Sequence, residues 1–142
     1  MHTQFYWEGG KERETQLNIT NFKAHALSPA TLMQSAPSIY AQGPAPGLSR
    51  RYTFVPTSEI VEGLEGANWM PVQVEEQRAR QIERVGFQKH VIRFRRLEQM
   101  ATLDEWNVEL VLLNSHDAGC AYQIHAGIYR RICSNGLVVS EG

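Results

Sequence analysis

The clearest pattern along the chain is the alternation of side-chain type between Phe87 and Leu97. His90, Ile92 and Phe94 fall on one face of an extended strand. The opposite face carries Phe87, Lys89, Val91, Arg93 and Arg95. A period of two residues is typical of a strand that is buried on one side only. We therefore predict a half-buried strand with one apolar and one basic face.

Four other segments have the composition of strands. Trp69–Gln77 alternates less cleanly, and Asn107–Asn114 is almost continuously apolar, as in a central strand buried on both faces. Shorter strands are predicted at Tyr52–Val55 and Cys120–His125, beside turn-forming residues. Together with 87–97, these segments predict a sheet of about five strands.

Three short helices are predicted around this sheet. Ser28-Pro29 provides an N-cap followed by proline at the first helical position. Thr57 is predicted to cap a second helix, whose first turn holds Glu59. A third is predicted over Ala126–Ser134, where isoleucines recur every four residues, with Gly136 beyond its end. The fold class predicted is α+β, a mostly antiparallel sheet with about three short helices on one face.

The chain of 142 residues is long enough to bury a core in a single domain. We expect residues 1–49 to be a loosely packed N-terminal segment with one short helix and a Pro/Gly loop, and residues 50–142 to be the α+β core. No apolar run approaches the roughly 20 residues that cross a bilayer, and the first residues lack a signal-peptide pattern. A cytoplasmic protein with reduced Cys120 and Cys133 is therefore expected.

Charge is segregated between Gln77 and Arg96, a segment that we call the basic ribbon. This segment contains seven basic residues and one acidic residue, Glu83, so its net charge is +6 in a chain of net charge −1. The basic residues are Arg78, Arg80, Arg84, Lys89, Arg93, Arg95 and Arg96. Such segregation is typical of nucleic-acid-binding surfaces and also of protein-binding ones.

Pleat parity places Lys89, Arg93 and Arg95 on one strand face, where arginine can pair with successive phosphates of a nucleic acid. Phe87 shares that face and can stack on a base. The alternative is a solvated face whose arginines pair with nearby carboxylates, for which the candidates are Glu75, Glu76 and Glu98.

Arg130 and Arg131 would lie in the last turns of the predicted third helix. They extend the basic surface if that helix packs nearby. The helix dipole, which favours cations at the C-terminal end, explains them equally well without a binding role.

Histidines and one aspartate are the candidates for metal binding. His90, His116 and His125, with Asp117, converge if the strands that carry them are neighbours. Their spacing matches no known ligand signature. In the structural alternative, His90 is a buried core histidine whose ring nitrogens are hydrogen-bonded. His116 and Asp117 then form hydrogen bonds with the backbone of the turn. Ser115, His116 and Asp117 are the residue types of a hydrolase catalytic triad. They cannot form one here, because the side chains of adjacent residues point in different directions. We predict no catalytic residue and no cofactor.

Four motifs, in order, resemble the family called domain of unknown function 932. They are RYTFVPT at 51–57, Lys89-His90 before a run of arginine, LNSHD at 113–117 and RRICSNGLV at 130–138. The resemblance covers roughly residues 38–142. Ala118 stands where the family usually has glycine after aspartate. The resemblance implies a phage or plasmid setting, and members about twice as long, so this chain resembles an N-terminal half or truncated copy. It implies no activity.

These observations predict a mobile-element protein that binds DNA or RNA through the basic ribbon, in recombination or replication. A counter-defence protein is the first alternative, such as an anti-CRISPR that binds an acidic surface of a CRISPR effector. A metal-dependent hydrolase using His90, His116 and Asp117 is the second. A structural domain of a larger machine, and pairing with a second copy, also stay open. No membrane partner is expected.

Overall fold

The computed structural model describes residues 26–100, 106–131 and 138–140, with backbone only for 129–131 and 138–140. The helices are α1 (Pro29–Ser35), α2 (Thr57–Gly66) and α3 (Leu97–Met100), with 3₁₀ turns at Pro37–Tyr40 and Ile82–Arg84. The strands are β1 (Trp69–Glu76), β2 (His90–Arg96), β3 (Trp106–Asn114), β4 (Gln123–Arg131) and β5 (Val138–Ser140).

The sheet is antiparallel throughout, and its strands follow chain order from β1 to β5. A register shift between Pro71 and Gln73 marks an irregularity in β1. β2 and β3 are paired from His90 opposite Asn114 to Arg95 opposite Glu109. The predicted α+β class with an antiparallel sheet is confirmed, as are the strands at 69–77, 87–97 and 107–114, within a few residues at their ends.

The core lies between one face of β1–β3 and the two longer helices. Ile92, Phe94 and Leu112 contribute the sheet side, and Leu32 of α1 and Val61 of α2 contribute the helix side. The predicted inward face of β2 is confirmed, since His90, Ile92 and Phe94 are all buried. The Ser28 side chain caps α1 as expected by accepting a hydrogen bond from the backbone N–H of Thr31, at 3.1 Å.

The N-terminal segment is part of this core from α1 onward. Leu32, Ala36 and Ile39 are fully or almost fully buried in the same cluster as Ile92 and Phe94. The expected boundary at residue 50 therefore does not mark the start of the core, and of the segment that the structure describes, 29–40 is not loosely packed. The apolar residues of α1 were too few for periodicity to reveal this.

Two predicted elements are wrong. Tyr52–Val55 is not a strand; side-chain hydrogen bonds hold it instead, from the Tyr52 hydroxyl to the Ser115 carbonyl and from Asn114 Nδ2 to the Val55 carbonyl. The helix predicted from Ala126 is strand β4 as far as Arg131, and the rest of it lies outside the described residues. A spacing of four is also a multiple of two, so it equally places Ile124 and Ile128 on one strand face.

β3 is only partly buried on its two faces. Leu112 and Asn114 are buried on the helix-covered face, whereas Val108 on that same face is exposed. The other face buries the polar residues Asn107 and Glu109. Within the described ranges, no helix has the length and apolar character that a bilayer crossing needs.

Candidate functional site

A carboxylate from β3 partly neutralises the strand part of the basic ribbon. Glu109 is 0% exposed and lies between two guanidinium groups. Its Oε1 accepts from Arg93 Nη2 at 2.6 Å and Nε at 3.0 Å, and its Oε2 accepts from Arg95 at the same distances. Each arginine therefore makes a two-pronged contact with one oxygen, and the three side chains together carry a charge of only +1.

This geometry decides between the two interpretations of Arg93 and Arg95. The Nε and Nη2 groups of both arginines donate to Glu109, and Arg93 Nη1 also donates to Gln73 Oε1 at 2.7 Å. The paired N–H groups that would bind a phosphate are therefore already in use. The carboxylate-pairing alternative therefore applies to Arg93 and Arg95. Their partner is Glu109, which was not among the candidate carboxylates named from the sequence. Only Arg96 pairs as proposed, with Glu98 at 2.7 Å. Glu109 is the single acidic residue in the mostly apolar β3 sequence, which was the signal for it, and only the register places it opposite Arg95.

The loop part of the ribbon, residues 77–89, keeps its charge accessible. We call it the basic loop. Arg78, Arg80 and Arg84 line a pocket of about 230 Å³ with Gln88 and Asp117. Arg78 and Arg80 are exposed, and among the described residues neither makes a salt bridge. Three arginines around one pocket form an anion-binding arrangement that the strand face lacks.

Hydrogen bonds hold the basic loop in one shape. The backbone N–H of Gln77 donates to the carbonyl of Lys89 at 2.8 Å and closes its base. Arg84 Nη1 donates to the Asp117 carbonyl at 3.1 Å, which ties the loop to the turn after β3. Gly86 adopts a φ of +92°, a left-handed conformation that favours glycine, and its N–H donates to Gln88 Oε1 at 2.7 Å. The pocket is therefore preformed.

The other predicted contact residues lie apart from the pocket. Lys89 lines a neighbouring hollow beside Glu75 and Glu76. Phe87 is half-buried, and its carbonyl accepts from the backbone N–H of His116 at 2.8 Å. Base stacking by Phe87 stays a prediction.

Arg130 and Arg131 do not extend the basic loop. Their backbones belong to β4, where Arg130 pairs with Trp106 at the start of β3, whereas the loop joins β2 beside Asn114 at its end. At about 3.3 Å per residue, those two ends of β3 are roughly 25 Å apart.

A buried polar network lies behind the pocket and joins His90 to His116. The two imidazole centroids are 5.3 Å apart, and the Thr57 hydroxyl lies 2.8 Å from His90 Nε2 and 3.3 Å from His116 Nε2. On its other side, His90 Nδ1 lies 2.8 Å from the Ser38 hydroxyl, which is 2.7 Å from Glu76 Oε1. The convergence expected of His90 and His116 is thus observed, in a network whose five residues come from five different segments.

Hydrogen-bond accounting fixes the direction of every bond in this network. A backbone carbonyl and a carboxylate only accept, so His90 Nδ1, which also faces the Gln88 carbonyl at 3.2 Å, carries a proton, and the Ser38 hydroxyl donates to Glu76. Neutral His90 then accepts at Nε2 from the Thr57 hydroxyl. The Thr57 oxygen in turn accepts from Asn114 Nδ2 at 2.9 Å.

The same accounting leaves one atom of His116 without a partner. Because the Thr57 hydroxyl proton goes to His90, His116 Nε2 must donate to the Thr57 oxygen. His116 Nδ1 is then a bare acceptor, and it is a buried atom for which the described residues supply no hydrogen bond. The hydrogen bonds therefore form one chain in which each residue donates to the next, from His116 through Thr57, His90 and Ser38 to Glu76.

Thr57 is the residue of this network that sequence reasoning misassigned. It was predicted to cap α2, but the N-cap is Pro56, which makes no side-chain cap. Thr57 is the first helical residue, and its hydroxyl points into the protein instead of toward the N–H groups of the helix end. Ser38 was not singled out, and Glu76 was named only as a candidate partner for the strand arginines, because nothing in their local sequence distinguishes them from surface residues.

The metal-site hypothesis finds no support in these contacts. Both nitrogens of His90 are occupied by hydroxyl groups, and Asp117 Oδ1 accepts from the backbone N–H of Gly119 at 2.8 Å, as its structural interpretation predicted. His125 is exposed and bonds Gln123. Across residues 26–100, 106–131 and 138–140, no three His, Cys, Asp or Glu side chains are grouped to hold a metal ion.

Burial in this network makes the protein sensitive to acid. Desolvation, with a smaller contribution from the nearby His116, lowers the pKa of His90 from 6.5 to about 4, and desolvation also lowers the pKa of His116. Between these values the unfolded chain binds more protons than the folded one, so the free energy of unfolding falls as the pH falls. We expect His90 alone to remove on the order of 3 kcal/mol between pH 6.5 and 4.

Urea unfolding at several pH values from 7 to 4.5 measures this effect. A His90→Gln variant is expected to be less stable at pH 7 but to lose less stability on acidification. His125→Gln, at an exposed position, should keep the wild-type slope. An unchanged slope in His90→Gln would show that other groups cause the acid sensitivity.

Comparison with known proteins gives a family for the chain. Two proteins of Escherichia coli (strain K12), UPF0380 protein YfjQ and UPF0380 protein YafZ, are each 33% identical to it over 115 residues, which is 81% of this chain. The chain spans about two fifths (41%) of the length of these relatives. No solved structure matches it. The family model for the domain of unknown function DUF932 matches residues 47–142, which include the basic loop and most of the buried network, and the chain therefore belongs to the DUF932 family.

Proposed function

We propose that this domain binds nucleic acid through phosphate contacts made by the basic loop. The observation that carries this proposal is the pocket lined by Arg78, Arg80 and Arg84. Guanidinium groups match the geometry of phosphate oxygens and make two parallel hydrogen bonds to them. The proposal moves the binding surface from the strand face, where Glu109 occupies the arginines, to the loop before β2.

The fixed shape of the loop supports this function. Arg84 is anchored on the Asp117 carbonyl, and Gln88 at the floor of the pocket is buried and donates to Glu76 Oε2 at 3.2 Å. Arginines held on a preformed loop lose less conformational freedom on binding than arginines on a mobile one. The mobile-element setting implied by the family resemblance is part of this proposal, together with a role in recombination or replication.

Salt dependence is the sharpest test. With Arg78, Arg80 and Arg84 each neutralising one phosphate, the slope of log K against log salt is expected to be about −3 on duplex DNA. The double variant Arg78→Ala/Arg80→Ala should weaken binding more than about tenfold and make the slope shallower by about 2. Fluorescence anisotropy on DNA and RNA at several salt concentrations measures both quantities.

Arg96→Ala provides the matched control. Arg96 belongs to the same basic ribbon, but it is on the strand and already paired with Glu98. Its loss is expected to leave both affinity and slope unchanged. Absence of binding by the wild-type protein at low salt would refute the proposal. An acidic protein surface, such as that of a CRISPR effector, would then be the partner to test by pull-down, because the same arginines suit it.

A further inference from the structure

The tip of the basic loop exposes two aliphatic side chains. Ile82 is 84% exposed and Val85 is 59% exposed, and both stand within or beside the 3₁₀ turn Ile82–Arg84. Isolated exposed apolar residues are common on protein surfaces. Here, however, Ile82 lies in the chain between Arg80 and Arg84, which line the pocket, and Val85 follows Arg84; Glu83 is the acidic residue of the same turn.

This exposure is built into the loop, since the turn that carries it is hydrogen-bonded. The backbone N–H of Val85 donates to the Ile82 carbonyl at 3.2 Å, and that of Phe87 donates to the Arg84 carbonyl at 2.9 Å. Arg84 Nη1 donates to the Asp117 carbonyl, so these bonds hold the backbone of the turn that carries the two side chains. Ile82 and Val85 are thus exposed aliphatic side chains on a hydrogen-bonded turn, and they are available for insertion into a partner.

We propose that the basic loop engages duplex DNA from the minor groove and that Ile82 inserts between two base pairs, with Val85 beside it. The inference rests on the proposed function and deepens it, because it names the form of nucleic acid and the mode of contact. Aliphatic wedges flanked by arginine are suited to this geometry: the side chain partly unstacks one base step while the cations neutralise phosphates on both sides.

The size and charge of the tip favour this partner over others. Two side chains offer far less than the roughly 800 Å² per partner that a stable protein interface buries. They also offer too little apolar surface to anchor a protein stably on a bilayer. A single residue is sufficient as a wedge, and Arg78, Arg80 and Arg84 complement the charge of DNA. Single strands would instead be bound by an exposed aromatic stacking surface, whereas Phe87, the aromatic residue of the basic loop, is half-buried.

The test uses the wild-type domain and a duplex that contains 2-aminopurine at a central TA step, a sequence that kinks easily. We expect saturating protein to raise the 2-aminopurine fluorescence about fivefold and to shorten the end-to-end distance measured by energy transfer. Ile82→Ala should abolish both signals while keeping the salt slope of the wild type. Because Ile82 is almost fully exposed, this change should not affect folding.

Met33→Ala serves as the matched control, since Met33 is an exposed apolar residue on α1, away from the loop. It should retain both signals. Salt-dependent binding of the wild type without unstacking or bending would overturn the wedge and leave the proposed function standing. Failure of the wild type to bind any nucleic acid would overturn both. Binding to anionic vesicles that requires Ile82, without DNA distortion, would reassign the tip to membranes.

Discussion

Replacing Thr57 with valine is expected to lower the free energy of unfolding by about 4 kcal/mol, because three buried polar groups each lose a hydrogen bond at once, while Asn114 Nδ2 keeps its bond to the Val55 carbonyl. The Thr57 hydroxyl donates to His90 Nε2 and accepts from Asn114 Nδ2 and His116 Nε2. Valine keeps the branched shape but offers no hydrogen bond. Each buried group left unsatisfied costs about 1–3 kcal/mol.

Thr57→Ser separates the hydroxyl from the methyl group. Serine keeps the three hydrogen bonds and removes one buried methyl, so we expect a loss of only about 1 kcal/mol. Urea denaturation of both variants at pH 7 measures the difference. Equal stability of the serine and valine variants would show that the hydroxyl contributes nothing and that the network is incidental to the fold.

Glu109→Gln is expected to destabilise the protein by about 3–5 kcal/mol, because it leaves two half-buried guanidinium groups without their counter-charge. Glu109 is 0% exposed and accepts four hydrogen bonds from Arg93 and Arg95. Glutamine has nearly the same shape, but its amide nitrogen would face a donor of one arginine. Thermal and urea unfolding at moderate salt measure the change.

Glu98→Gln is the control for this prediction. It removes the carboxylate of an exposed ion pair with Arg96, and we expect a change below about 0.5 kcal/mol. Similar effects of the two substitutions would contradict the buried character of the Glu109 pair. Glu109→Gln also tests the binding surface: if the strand face bound DNA, removing this carboxylate would increase affinity, whereas binding by the basic loop predicts no increase.

The buried network and the basic loop are mechanically connected. Gln88 links the loop to Glu76, and the backbone N–H of His116 donates to the Phe87 carbonyl. The segments that carry Ser38, Thr57, His90 and His116 are thereby fixed to the base of the loop that lines the pocket. A polar network with all but one of its side chains satisfied gives the core one specific arrangement, and here that arrangement holds the base of the basic loop.

Local sequence patterns determined much of this fold. Alternation at 87–97 identified β2 and its buried face, and Ser28-Pro29 identified the start of α1. These succeed because side-chain direction in a strand and capping at a helix end depend on neighbouring residues only. The four-residue spacing at Ile124 and Ile128 failed as a guide because it fits both periods, and pairing with β3 decided for the strand.

Some features of the candidate site were determined by the sequence, and others were decided only by the tertiary structure. The excess of positive charge over residues 77–96 is a property of the sequence alone. Which of those charges are accessible was decided by the register of β2 against β3, which brings Glu109 to Arg93 and Arg95 and leaves Arg78 and Arg80 outside any salt bridge among the described residues. The contacts of Thr57 with His90 and His116 likewise join residues 33 and 59 positions apart, which local patterns cannot reveal because the chain brings them together only when it folds.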